Sequence, residues 1–210
     1  MNFGDLKSEM FRRLNENESS PTFWSEADVE ESLNEGYEEM SDSSEWYEEY
    51  FVISLLAKLQ YYDLRTLLPD TFLAPKRFFN QTTNQWLFPA SLRELDYHST
   101  RQWETVTGEP QLTLLRGLWW LGFWPKQPSD SGKVKFYYSA IPVRMTEDTD
   151  EPGFPQEYHK YLIEYALYDL LAQDGETKKA LAHWQTYLEG ERLLKGSVGG
   201  RVAMDRSANV

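Results

Sequence analysis

With 210 residues, 40% of them hydrophobic and 15% aromatic, the chain is long enough for one domain with a sizeable core, or for one domain and an appendage. The absence of cysteine excludes disulfides, thiol catalysis and thiolate metal sites, and it fits a reducing cytoplasm. A net charge of −13 argues against free affinity for nucleic acid, because Lys and Arg drive phosphate binding by displacing counterions.

The charge is unevenly placed. Residues 14–57 hold thirteen Asp and Glu with no Lys or Arg, so the rest of the chain balances at 21 acids and 21 bases. A localised acidic surface suits a basic partner, or a surface meant to repel DNA. The opening MNFGDLKSEMFRRLNENE has no apolar run of signal-peptide length, and no stretch nears the ~18 apolar residues of a membrane span. The expectation is a soluble, unsecreted protein with no membrane partner.

In chain order, residues 2–16 read as a short helix with Phe3, Leu6, Met10 and Leu14 on one side. Asn17 to Pro21 is a turn. The next helix starts at Ser25 as a cap, with Asp28 completing a capping box and Trp24 and Val29 placed for a hydrophobic staple. Its apolar face is Val29, Leu33, Tyr37 and Met40, and Asp42-Ser43-Ser44 ends it. YFVISLLA (50–57) is a continuous apolar run whose β-branched and aromatic content favours a strand. Phe72 to Phe88 reads as a hairpin with Gln81 to Asn84 as its turn, and SLRELDYH (91–98) as a helical turn or two. LTLLRGLWWLGF and KVKFYYSAIPV are strand-like, with turns at 108–110 and 124–132.

Asp148 to Pro155 is an acidic linker into two amphipathic helices. Leu162, Ile163, Ala166, Leu167, Leu170 and Leu171 form one stripe. Gln173-Asp174-Gly175 breaks it, and Asp174 or Thr177 can cap the next helix. Ala180, Leu181, Trp184, Tyr187, Leu188 and Leu194 form the second stripe, so the two helices face each other as an antiparallel pair. Residues 196–210 are small, contain glycine and predict a mobile tail. The expected fold class is α+β: N-terminal helices packed with the C-terminal helix pair as a bundle (1–45 and 146–195), carrying a β-rich insertion (46–145) and a flexible tail (196–210).

Chemical signatures are sparse. His98, His159 and His183 are scattered; only the last two could approach across the helical pair, among tyrosines and leucines rather than further ligands. The acids of the second helix read as a solvated face, as a surface that meets a basic partner or repels DNA, or, last, as a hydrolytic pair. Trp119 and Trp120 should point to opposite faces of a strand, one towards the core and the other under a second subunit. There is no phosphate-binding loop, nucleophile elbow or paired-histidine helix. No catalytic residue, metal or cofactor is therefore expected.

The segments NEGYEEMSDSSEW (34–46), LLPDTFLAPKRFFN (67–80), SLRELDYHS (91–99) and EPGFPQEYHKYLIEYALYDLLAQDGETKKALAHWQTY (151–187) resemble head-to-tail adaptor proteins of tailed bacteriophages. The likeness spans roughly residues 25–195. It implies a helical bundle with a β-rich appendage, assembled in the host cytoplasm as a homo-oligomeric, dodecameric ring located in the phage neck of the virion. It also implies a portal protein and tail or nozzle proteins as partners, with DNA passing the ring without specific binding. Expected interface residues are Glu30, Glu31, Glu38 and Glu39 on the acidic helix, Trp119 and Trp120 in the strands, and Arg201 and Arg206 in the tail. The rival readings are an acidic DNA mimic that inhibits a nucleic-acid-binding protein, and a carbohydrate-active enzyme using paired carboxylates and tryptophans.

Overall fold

The computed structural model describes residues 1–98, 103–117 and 119–207, with His98 and residues 200–207 described by backbone alone. Its helices are α1 (Phe3–Leu14), α2 (Glu26–Ser44), α3 (Leu92–His98), α4 (His159–Gln173) and α5 (Thr177–Ser207). Its strands are β1 (Glu48–Leu55), β2 (Tyr61–Asp63), β3 (Phe72–Asn80), β4 (Gln85–Ala90), β5 (Leu112–Arg116), β6 (Trp120–Trp124) and β7 (Gly132–Ala140). The chain is α+β and divides into two units. One contains Met1–Tyr47 and the chain from Ala140 onward; the other is Glu48–Ser139.

In the helical unit, α1 and α2 each begin with a reciprocal capping box, Asn2 with Asp5 and Ser25 with Asp28. Each box satisfies backbone donors that the first turn leaves unpaired. Asn15 and Glu45 end these helices in the left-handed conformation. Phe3, Leu6, Met10, Val29, Leu33 and Met40 are fully buried and meet Leu162, Ile163, Ala166, Leu167 and Leu170 of α4 in one apolar cluster. Each such side chain contributes about 1.5–3 kcal/mol of burial.

The strap before α4 is pinned to the same cluster. The amide of buried Asn34 accepts from the Met145 N–H (2.8 Å) and donates to the Met145 carbonyl (3.0 Å). Phe3 and Gly4 N–H groups donate to the carbonyls of Asp150 and Asp148. Pro155 precedes a 3-10 turn (Gln156–Tyr158) that leads into α4.

The second stripe of the helical pair is narrower than its sequence suggests. Ala180, Tyr187 and Leu194 are buried and Trp184 partly so, whereas Leu181 and Leu188 are exposed. The buried three recur every seven residues, and a neighbour one position on lies about 100° round the helix, off the seam. The close approach of α4 and α5 is permitted by Gly190: a Cβ there would lie 2.1 Å from the Tyr161 ring.

Where the sequence reading places the tail, the backbone continues α5 as helix through Ser207. Once a helix is nucleated, each further residue adds a hydrogen bond at little entropic cost. Val198 also packs on the apolar cluster.

The strands form one seven-stranded sheet in the order β1-β7-β3-β4-β5-β6-β2. LTLLRGLWWLGF is not one strand but the β5–β6 hairpin, reversed at Gly117, whose φ of 62° suits glycine. β4 changes partners along its length: Gln85–Leu87 pair with β3, and Phe88–Ala90 pair parallel with β5. Phe78 and Phe136 stack at 4.4 Å in the interior, beside Phe51, Tyr62 and Phe123. Leu95 of α3 packs with Trp103 and Leu114 as a second, smaller core.

Candidate functional site

The acidic helix has no base of its own, so its counterions come from elsewhere in the sequence. Lys7 of α1 is buried, and its Nζ lies 2.8 Å from carboxylate oxygens of Glu26, Glu30 and Asp148. Burial alone would depress its ammonium pKa, but hydrogen bonds from the three carboxylates together outweigh it and hold the group above its ordinary range. Arg144 reaches α2 from the strap, with Nη1 2.8 Å from Glu31 and Nε 2.6 Å from Glu38. The two carboxylates raise its pKa further.

Of the expected acidic interface residues, Glu30, Glu31 and Glu38 are therefore engaged within the molecule. Glu39 is exposed and makes no ion pair among the described residues, as do neither Asp42 nor half-buried Glu35. Burial first, then the nearby Asp169 and Glu31 carboxylates, push the Glu35 carboxyl above its ordinary pKa. Beneath this face, Tyr165, Tyr168, Trp184 and Tyr187 form an aromatic cluster with ring centres 4.7–6.3 Å apart. Burial and the Glu35 charge push the Tyr165 hydroxyl up to about 12. Glu35 and Glu39 thus lie close to this aromatic packing.

Trp119 and Trp120 do not divide between core and cover: each is 42% exposed. Both lie at the reversal of the β5–β6 hairpin, where a strand's alternation stops dictating burial. The Trp119 carbonyl accepts from the Leu64 N–H at 2.8 Å, and Trp120 lies opposite Arg116. Arg201 and Arg206 lie on the helical backbone of α5; their side chains are outside the described residues.

A second surface, not marked by the sequence reading, lies on the outer face of the sheet. The Arg77 guanidinium sits 4.8 Å from the Trp86 ring centre and 5.0 Å from that of Tyr137, and it pairs with Glu48 at 2.8 Å. Lys135 lies over Tyr50 at 4.3 Å. The available signal was alternation, since Tyr50, Arg77, Trp86, Lys135 and Tyr137 all occupy one face of their strands.

His159 and His183 serve the scaffold. Buried His159 has Nδ1 3.0 Å from the Met1 carbonyl and Nε2 2.9 Å from that of Phe154. His183 bonds Glu164 at 2.7 Å, and Glu164 also pairs with Arg13. His98 is described by backbone alone. Among the described residues, no group of His, Asp and Glu converges as a metal site, and no helix is long and apolar enough to cross a membrane.

Compared with known proteins, the chain matches the family described as SU10 adaptor protein over residues 1–209. No curated protein matches it.

Proposed function

The chain belongs to the SU10 adaptor family, and on that footing we propose that it is a virion structural protein of a phage neck. In this reading, copies of the chain form a closed ring that joins the portal to the tail and continues the DNA channel. The chain has no chemistry of its own. Its work is to hold the channel in register and to give tail proteins a docking surface.

The observation that carries this reading is the division of charge between the two units. The helical unit has 11 Lys and Arg against 25 Asp and Glu, a net −14; the sheet unit has 10 against 9, a net +1. An acidic helical wall gives passing DNA no counterion-releasing contacts. Its field reaches about 8 Å at physiological salt, so the unpaired Glu39 and Asp42 must border the channel for it to matter. The near-neutral unit with its exposed aromatics suits protein contacts instead.

An acidic inhibitor is less well supported. Such a protein presents its carboxylates to a partner, whereas Glu26, Glu30, Glu31 and Glu38 are held by Lys7 and Arg144. The test is negative-stain microscopy of the chain mixed with the portal protein of its phage. Rings docked on portal rings are the expected result. A chain that stays monomeric at all concentrations and never binds the portal would end this reading.

A further inference from the structure

The sheet ends in two margins, β1 and β2. β2 has 3 residues, which leaves little edge, but β1 has 8. A long, straight margin invites pairing with another chain unless proline, lysine or a bulge blunts it. β1 pairs with β7 without interruption from Glu48 to Leu55, and its sequence EEYFVISL contains neither proline nor lysine.

The phase of the ladder shows which backbone groups are left over. The Ala140 N–H donates to the Tyr47 carbonyl at 3.1 Å, one step beyond the Glu48↔Ser139 pair. Bonded and non-bonded positions alternate in an antiparallel pair. Glu49, Phe51, Ile53 and Leu55 therefore bond to β7, while Glu48, Tyr50, Val52 and Ser54 turn their N–H and carbonyl groups outward. Among the described residues, no main-chain group pairs with that outer side.

The side chains beside it are equally specific. Tyr50 and Val52 are 53% and 44% exposed. Lys135 and Lys133 lie opposite Val52 and Ser54 on the same outer face. Glu48, the acid of that face, is already paired with Arg77.

We propose that the β1 margin accepts an extended segment of a different polypeptide as an added strand, with apolar residues on one face and acidic residues on the other. The main chain of the segment would satisfy the outward groups of Tyr50, Val52 and Ser54. Its apolar face continues the inner row of Phe51, Ile53 and Leu55. Its acidic face comes within reach of Lys133 and Lys135, two strand spacings or about 10 Å away, spanned by the two long side chains together. The β1 margin of a second copy is not the occupant: β1 paired on β1 is isologous and closes a dimer, whereas a ring propagates by heterologous contacts. That choice of occupant rests on the ring reading.

The experiment uses the full chain and a fluorescein-labelled eight-residue peptide alternating valine and glutamate. It is compared with a peptide carrying lysine in place of glutamate and with one N-methylated along one edge. Expected are saturable binding by anisotropy and slowed amide exchange at Tyr50, Val52 and Ser54. Binding should be about tenfold weaker for the lysine peptide and lost for the methylated one. Val52→Pro removes an outward donor without breaking the β1–β7 ladder. It should keep the circular dichroism of the wild type and bind about tenfold less well. Lys133→Ala with Lys135→Ala should erase the preference for glutamate over lysine.

No saturable binding by the wild type, or equal binding by Val52→Pro, overturns the proposal. So does a concentration-dependent dimer that Val52→Pro dissolves. A chain that binds the peptide but never forms rings sinks the ring reading and leaves the strand-addition site standing.

Discussion

Lys7 is the residue on which the acidic helix most depends. Lys7→Ala leaves Glu26, Glu30 and Asp148 facing one another and opens a gap beside Phe3, a loss of about 2 kcal/mol in urea unfolding, since the carboxylates themselves remain solvated. Its folded pKa is raised, so its contribution is complete below the unfolded value of about 10.4 and is lost as pH rises beyond it. The gap between wild type and variant should therefore close only in strong alkali. Glu9 behaves oppositely: hydrogen bonds from Arg12 and then Arg13 lower its carboxyl to about 2. Its contribution is present above about pH 4.5 and fades as pH falls towards 2. Glu9→Gln should flatten that part of the acid-unfolding profile. Glu38→Lys, which turns the Arg144 contact into repulsion, should lower the melting temperature. Glu39→Lys should leave it nearly unchanged, within about 0.5 kcal/mol. Glu39 is therefore the cleaner probe of whether the acidic face matters in assembly or DNA delivery.

The helical pair shows how packing reverses a propensity. Glycine to alanine normally stabilises a helix interior by up to about 1 kcal/mol. At Gly190 the added methyl would overlap the Tyr161 ring, so Gly190→Ala should cost about 1–3 kcal/mol by pushing α4 and α5 apart. Gly196 and Gly199 meet nothing within 4 Å, and alanine at either should stabilise α5 by about 0.5–1 kcal/mol. Thermal melts of the single variants check both signs, and Tyr161→Ala combined with Gly190→Ala should recover part of the loss. Loss of stability in Gly196→Ala would mean that α5 is not helical there in solution.

For the molecule as a whole, the decisive property is the separation of an acidic helical unit from a near-neutral sheet unit. Deleting residues 196–210 removes the Val198 contact with the apolar cluster and should lower the melting temperature by about 2–4 °C for each kcal/mol lost. If the end of α5 also docks on the portal, the deletion should abolish attachment even well below the new melting temperature. Undiminished attachment would move the docking site elsewhere on the molecule.

Local rules written into neighbouring residues made much of this legible beforehand. Ser25 and Asp28 announce a capping box, Gln81 to Asn84 a turn, and the stripe from Leu162 to Leu170 a buried face, because each depends on neighbours a few positions away. The sequence also determined that the acids are concentrated in one segment. It could not determine which of them remain available. Lys7 is 19 and 23 residues from Glu26 and Glu30, and Arg144 is more than 100 from Glu31 and Glu38. Partners that distant are chosen by how α1 and the strap fold back on α2. The same holds for Leu181 and Leu188, apolar by type but left outside a seam whose position Gly190 and Tyr161 set, and for the open side of β1, which exists only because β7 pairs with the other. Tertiary structure decided these because each is a contact between segments that the chain order keeps apart.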